Sequence, residues 1–82
     1  MITGVAIIYK EKLYDLPKPA RHSNVIRLIR EETGDSPIRG LQGFVTDEGE
    51  FLDRMAGADY VLEHGQIEKL GCPPDLCSED LW

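Results

Sequence analysis

With 82 residues, the chain has room for a single domain, residues 1–82, with a core of modest size. Its 41% hydrophobic and 29% charged residues are typical of a folded globule and disfavour a disordered chain. No apolar run reaches the roughly 18–20 residues that would span a bilayer. The net charge of −6 is uneven, because residues 1–46 carry seven Lys/Arg and five Asp/Glu, whereas residues 47–82 carry two and ten. This acidic half disfavours direct binding to nucleic-acid phosphates.

The first elements predicted along the chain form a hairpin. β-branched and aromatic residues favour a strand over residues 2–9, and residues 13–16 can pair back across a charged turn at residues 10–12. Pro17 and Pro19 then end regular structure. The apolar run inside the first strand is short and follows no basic segment, so it does not predict a signal peptide, and a reducing cytoplasm is the expected compartment.

A helix is expected next. It should begin near His22 or Ser23, with Ser23 or Asn24 as a possible N-cap, and end at Gly34, which can adopt the left-handed conformation of a helix stop. Its apolar positions recur at helical spacing and predict a buried stripe. The stripe consists of Val25, Ile26, Leu28 and Ile29.

The middle of the chain predicts a loop and then a second hairpin. Residues 35–42 contain Pro37 and Gly40 and have no strand or helix pattern, so they are expected to form a loop. Residues 43–46 and 50–52 read as two strands joined by a turn with a glycine at position 49.

A second helix should follow the second hairpin. Asp53 is expected to cap it, and the helix should run to about His64 with Gly65 as its stop. Gly57 weakens this helix by something like 1 kcal/mol relative to alanine, so packing must stabilise it. The apolar face is expected to comprise Met55, Ala58, Val61 and Leu62.

The tail, residues 66–82, is expected to be irregular apart from a last turn at residues 78–80, with Trp82 packed as an anchor. These elements together predict a small α+β domain. Its two β-hairpins should form one antiparallel or mixed sheet, packed on one face against two α-helices. Because so small a core is only marginally stable, self-association into a homo-oligomer is expected.

The leading candidate site is the basic segment at residues 18–24, which enters the first helix. Lys18, Arg21 and His22 stand there beside backbone N–H groups that no preceding turn can satisfy. The positive end of the helix dipole adds to their charge, so the segment favours an anion such as a phosphate. Histidine at such a place can donate to phosphate or titrate near neutral pH.

The sequence does not decide which residues complete this site, or whether it binds a ligand at all. Arg39 or Arg54 could converge on the same anion, since Arg54 stands at the second helix start. Alternatively, His22 makes only a local hydrogen bond and Arg21 pairs with an acidic side chain of the second half. Spacing alone does not decide between a ligand site and these local contacts.

The sequence offers little chemistry elsewhere. Asp53 is more consistent with a helix cap than with a catalytic carboxylate, and no nucleophile, phosphate-loop or metalloprotease motif occurs. Cys72 and Cys77 have a C-x4-C spacing without a nearby pair of histidines, which favours free thiols over a zinc site. We therefore expect no catalytic residue, no metal and no cofactor.

Three segments of the chain resemble a family of small phage and prophage proteins: RHSNVIRLIREETG, LQGFVTDEGEFLDRMAGADYVLEHGQI and PPDLCSEDLW. The resemblance covers about residues 21–82. The chain departs from the family pattern at Met55, where acidic or polar residues are usual, and at Cys72 and Cys77, where aromatic residues are usual. The matching residues are Arg21, His22, Gln42, Gly43, Phe44, Thr46, Asp53, Arg54, Gly65, Gln66, Ser78, Glu79 and Asp80.

This resemblance implies a setting in the cytoplasm of a bacterial host, in an accessory role such as interference with a host defence. It adds Gln42 and Glu79 to the candidate ligand residues, beside Lys18, Arg21, His22 and Arg54. The preferred function is binding of an anionic, nucleotide-like ligand without catalysis. A first alternative is an inhibitor whose acidic half covers a basic surface of a host defence protein. A second is a small nucleotide-processing enzyme. No membrane partner is expected.

Overall fold

A computed structural model of the protein describes residues 1–71 and 73–82, and it confirms the predicted α+β class. Within these residues the chain forms four strands, two α-helices and a short 3₁₀ turn. In chain order they are β1 (Ile2–Tyr9), β2 (Lys12–Pro17), α1 (His22–Thr33), β3 (Leu41–Thr46), β4 (Phe51–Asp53), α2 (Arg54–Glu63) and the 3₁₀ turn (Ser78–Asp80).

The four strands make one antiparallel sheet in the order β2-β1-β3-β4. Each predicted hairpin supplies two neighbouring strands, and β1 pairs with β3 at the centre. Val5 on β1 lies opposite Phe44 on β3, and Ile7 lies opposite Tyr14 on β2. These large side chains belong to the core because residues at the same level of adjacent strands share a face.

Both helices pack on this face of the sheet, as expected. The ring of Phe44 contacts the His22 ring at the start of α1, with centroids 5.1 Å apart, and lies beside Gly57 of α2. One side chain of β3 thus touches both helices. The core cluster consists of Ile2, Val5, Ile7, Tyr9, Tyr14, Val25, Ile29, Phe44, Ala58, Val61 and Leu76.

The predicted loop over residues 35–42 is too long by two residues, because β3 already begins at Leu41. Leu41 pairs with Ile8, and Gln42 pairs with Ile7, so both continue the ladder between β1 and β3. The pairing partner is more than thirty residues away in the sequence. Local composition therefore carried no signal for it.

The start of α1 corrects the predicted cap. Neither Ser23 nor Asn24 is the N-cap; Arg21 occupies that position, and the Asn24 carboxamide oxygen accepts a hydrogen bond from the Arg21 backbone N–H at 2.7 Å. The expected stop is confirmed, since Gly34 has φ 75° and its N–H donates to the carbonyl of Arg30.

The predicted stripe of α1 is confirmed at its centre. Val25 and Ile29 are fully buried, while Ile26 and Leu28 flank them as half-buried residues packed against the core.

The start of α2 follows the prediction. The Asp53 carboxylate accepts a hydrogen bond from the Ala56 N–H at 2.8 Å, so Asp53 caps the helix. The helix ends at Glu63, and Gly65 follows with φ 68°.

The predicted apolar face of α2 is half wrong. Ala58 and Val61 are buried, but Met55 is 59% exposed and Leu62 is 42% exposed. The face that packs is narrower and includes Gly57, where an added Cβ would lie 3.2 Å from the Phe44 ring. Glycine at this position lets α2 approach the sheet closely, which explains why the helix retains it despite its low propensity.

The tail is irregular as expected, and two residues fix it to the domain. Leu76 is fully buried in the core, and the indole N–H of Trp82 donates to the carbonyl of Ala20 at 3.0 Å. The tail therefore passes close to the segment that precedes α1. Across the described residues, no helix has the length and apolar character needed to cross a membrane.

Candidate anion-binding cleft

A cleft of about 360 Å³ lies where the start of α1, the start of α2, strand β3 and the 3₁₀ turn of the tail meet. We call it the α1–α2 cleft. It brings together five of the six residues predicted from the sequence: Arg21, His22, Gln42, Arg54 and Glu79. Its full lining is Arg21, His22, Ser23, Gln42, Arg54, Cys77, Ser78 and Glu79.

Two basic residues considered for the site do not line this cleft. Lys18 is exposed, and its backbone N–H donates to the carbonyl of Thr3 on β1. Arg39 is also exposed, in the loop before β3. Lys18 precedes α1 and Arg39 follows it. Neither side chain lines the α1–α2 cleft.

The His22 ring is held in one orientation. Its Nε2–H donates to the backbone carbonyl of Gly43 at 2.7 Å, and the ring meets Phe44 edge-on with an interplanar angle of 80°. A carbonyl can only accept, so in the neutral ring the proton sits on Nε2 and the lone pair on Nδ1.

The environment keeps this ring neutral. Burial lowers the pKa of His22, and the nearby positive charge of Arg54 lowers the pKa further, while the bond to Gly43 and the charge of Glu79 act in the opposite direction. At neutral pH the histidine therefore contributes a hydrogen-bonding ring rather than a positive charge.

The carbonyl that holds His22 depends on glycine at position 43. An added Cβ there would clash with the carbonyl oxygen of Leu52 and lie 2.6 Å from the ring of Phe51. Strands β3 and β4 can approach each other at this level only because Gly43 lacks a side chain.

Arg54 connects α2 to the tail through three hydrogen bonds. Its Nε–H donates to the carbonyl of Leu76, its Nη2 donates to Sγ of Cys77, and its own carbonyl accepts from the Leu76 N–H, each at 3.1 Å. Together with the buried Leu76 side chain, these bonds bring the 3₁₀ turn to the helix starts. The guanidinium is thereby fixed at one wall of the cleft.

Arg21 is less completely satisfied. Its Nη1 is buried and has no hydrogen-bond partner among residues 1–71 and 73–82. The side chain of Arg21, the N-cap residue, makes no hydrogen bond to the first turn of α1, although the Asn24 carboxamide accepts from the Arg21 N–H and the carbonyl of Arg21 accepts from the Asn24 N–H. Buried donors normally have an acceptor, because an unmade hydrogen bond costs about 1–3 kcal/mol.

The ion pairs of the described residues lie elsewhere. They join the N-terminal amine to Asp47, Lys10 to Asp35 and Lys12 to Glu32. Of the local contacts weighed against a ligand, the hydrogen bond of His22 is therefore present, whereas an ion pair of Arg21 is not among these three.

The sequence did not indicate Ser23, Cys77 or Ser78 as cleft residues. Ser78 is 3% exposed, and its hydroxyl donates to the Glu79 carboxylate at 3.4 Å. The usable signal was Leu76, an apolar residue next to Cys77 and Ser78, since burial of that side chain brings its neighbours to the cleft.

The described residues contain no group of three or more His, Cys, Asp or Glu side chains able to hold a metal ion. Cys77 is a free thiol, and the expectation for Cys72 concerns a residue outside the described part. The cleft instead combines guanidinium donors, a neutral imidazole and one carboxylate. This combination can bind and orient an anion that also carries hydrogen-bond donors.

Comparison with known proteins agrees with the resemblance seen in the sequence. All of the chain, residues 1–82, matches the family described as "Phage T4 y16D protein". The curated proteins and the solved structures gave no match. The match spans the helix starts, the hairpins and the tail that build the α1–α2 cleft. The chain belongs to the phage T4 y16D protein family.

Proposed function

We propose that this phage protein binds an anionic, nucleotide-like ligand in the α1–α2 cleft, without catalysis, in the cytoplasm of the bacterial host. One observation carries the proposal. Arg21 and Arg54, which are far apart in sequence, line the same cleft, and neither takes part in the ion pairs found among the described residues.

The charge balance within the cleft supports this proposal. The chain carries 15 acidic and 9 basic residues, so a basic side chain has many possible carboxylate partners. Within the cleft, Glu79 is the one acidic lining residue, set against two arginines. Arg21 lines the cleft, and a planar guanidinium can bind a phosphate through two parallel hydrogen bonds.

The size and polarity of the cleft favour a small molecule. Its volume of about 360 Å³ lies at the lower end of the range usual for ligand pockets, about 300–1,000 Å³. The fixed His22 ring and the Gln42 side chain add neutral hydrogen-bonding groups beside the two charges. A phosphorylated metabolite uses both kinds of group, whereas a simple inorganic anion uses only the charges.

A second candidate function is inhibition of a basic host protein by the acidic half. Asp59 and Glu63 are exposed on α2, one turn apart, and the exposed Leu62 lies between them. Such a surface would bind with an affinity that falls steeply with salt concentration. Ligand binding in the α1–α2 cleft would not require it.

The test is calorimetric titration of the protein with inorganic phosphate and with nucleotides, accompanied by thermal unfolding. A ligand at a hundredfold excess over its Kd should stabilise the protein by about 2.7 kcal/mol. Arg21→Ala should weaken binding by about tenfold or more, because a charge-assisted hydrogen bond contributes about 1.5–3 kcal/mol.

Arg27→Ala is the matched control, since Arg27 is exposed on the same helix and the change in net charge is identical. Equal affinities of the Arg21→Ala and Arg27→Ala variants would refute the site. Absence of binding by the unmodified protein would refute the function.

A further inference from the structure

A second cleft, of about 430 Å³, adjoins the α1–α2 cleft. We call it the Met55 cleft. Gln42 and Arg54 line both clefts, so these two side chains stand where the clefts meet. The lining of the Met55 cleft is Gly40, Leu41, Gln42, Asp53, Arg54, Met55 and Asp75.

The chemistry of the two clefts differs. Leu41 and Met55 are 53% and 59% exposed, so the Met55 cleft offers apolar surface to solvent. Its charged residues other than the shared Arg54 are Asp53 and Asp75, whose carboxylates only accept hydrogen bonds when ionised. The Met55 cleft therefore suits an uncharged, flat or apolar group that carries N–H or O–H donors.

We propose that the two clefts together hold one nucleoside monophosphate. The phosphate lies between Arg21 and Arg54, the base rests on Leu41 and Met55, and amino or hydroxyl donors of the nucleoside point to the carboxylates. This inference rests on the proposed function and specifies the ligand class. Methionine suits the role because its flexible, polarisable side chain adapts to aromatic rings.

The charges give the ligand a direction and limit its kind. A phosphate in the Met55 cleft would lie against Asp53 and Asp75 and be repelled, so the phosphate belongs in the α1–α2 cleft. A ligand with a phosphate at each end would meet the same repulsion at its second phosphate. One anionic end and one neutral, donor-bearing end are the features that both clefts accept together.

Arg54 stands at the junction in a fixed orientation. Its guanidinium is tied to the carbonyl of Leu76 and to Sγ of Cys77 before any ligand arrives. Preorganised donors lose less conformational entropy on binding. The junction can therefore contact the phosphate while the nucleoside extends toward Met55.

The experiment is calorimetry of the full chain in EDTA, which excludes bridging by a metal ion. The probes are inorganic phosphate, ribose 5-phosphate and the four ribonucleoside 5′-monophosphates. At least one monophosphate should bind about tenfold more tightly than ribose 5-phosphate. Met55→Glu should abolish this advantage and leave phosphate affinity within about twofold, because the new carboxylate blocks only the Met55 cleft.

Leu62→Glu is the matched control, since it places the same charge on an exposed apolar position of the same helix outside both clefts. It should retain the preference for the monophosphate. If phosphate binds but the preference is missing, or survives Met55→Glu, the nucleoside subsite is wrong and the proposed function stands. If none of the probes binds, both are wrong.

Discussion

The two helices of this protein begin in different ways. At α2, the Asp53 carboxylate caps the first turn, and the Arg54 guanidinium binds the tail of the same chain. At α1, the side chain of the N-cap residue Arg21 does not bind the first turn, and its Nη1 is buried without a partner among the described residues. The first arrangement satisfies Nε and Nη2 of Arg54 within the molecule, whereas the second leaves the Arg21 guanidinium without a hydrogen bond to the described residues.

This difference shows what turns a basic helix start into a candidate site. Both starts place an arginine near unpaired N–H groups, which is the usual local chemistry for anions. At α2, the Asp53 carboxylate and the Leu76 carbonyl already accept hydrogen bonds from the helix start and from Arg54. At α1, Glu79 is the acidic residue among the described cleft lining, and Arg54 adds its charge to that of Arg21. Substitutions near each helix start should therefore have different effects.

The largest expected loss of stability comes from Leu76, which holds the tail against the start of α2. Leu76→Ala should lower the free energy of unfolding by about 2–5 kcal/mol, because it leaves a cavity at a fully buried position. It should also release the tail, so phosphate affinity should fall even at temperatures where the variant is folded. Denaturant unfolding and calorimetry measure the two effects. Full stability, or unchanged phosphate affinity, would show that the tail does not organise the cleft.

A smaller loss is expected from Gly43→Ala, which disturbs the support of α1. The added methyl group collides with the Leu52 carbonyl, so β4 must move away from β3. Overpacking of this kind costs about 1–3 kcal/mol. The movement should also shift the carbonyl that holds His22. Denaturant unfolding should show the loss, and NMR should show a change at the His22 ring. An unchanged His22 signal would contradict the proposed dependence of the His22 orientation on Gly43.

Two matched alanine variants compare how much a side chain at each helix start stabilises the protein. Asp53→Ala should cost about 1 kcal/mol, as expected for loss of an N-cap. Ser23→Ala should change stability by no more than about 0.5 kcal/mol, because Ser23 is exposed and does not cap α1. Thermal unfolding of both variants measures the difference. A cost at Ser23 equal to that at Asp53 would remove the contrast between the helix starts.

The smallest effect concerns the pH dependence of stability. The folded state lowers the pKa of His22 below its unfolded value of about 6.5, so the unfolded chain takes up the proton first. The stability contribution of neutral His22 is therefore complete above pH 6.5 and declines as the pH falls from there toward the folded pKa. His22→Gln should lack this decline. Urea unfolding of both proteins at several pH values measures it.

Ligand binding should show the opposite dependence on pH. An anion favours protonated His22, so affinity for sulfate should rise as the pH falls through the same range. Sulfate is the suitable probe because its own charge stays constant there. His22→Gln should show a flat profile. An identical rise in both proteins would exclude His22 as the group responsible.

Local signals in the sequence predicted most of the elements. Gly34 and Gly65 marked the helix ends through their left-handed conformation, and Asp53 marked a cap through its position before the apolar pattern. The Arg21–His22 pair marked the basic start of α1. Each of these depends on interactions within a few residues, which spacing alone can indicate.

The remaining errors have non-local causes. The first residues of β3 form a strand because they pair with β1. Met55 is exposed because α2 packs on the sheet through the small residues Gly57 and Ala58. Of the predicted basic residues, Lys18 lies outside the α1–α2 cleft although it is close to Arg21 in sequence, whereas the distant Arg54 lines it. A sequence pattern gives neighbours along the chain, whereas a site is made of neighbours in space.

The most direct test of the central claim is an NMR titration of the 15N-labelled protein with inorganic phosphate. If the α1–α2 cleft binds the anion, the side-chain Nε–H signals of Arg21 and Arg54 and the backbone amide of Ser23 should shift together and saturate with one affinity. The signal of Arg27 should stay in place. Shifts that rise linearly with phosphate and include Arg27 equally would mean that the anion only screens surface charge, which contradicts a defined site.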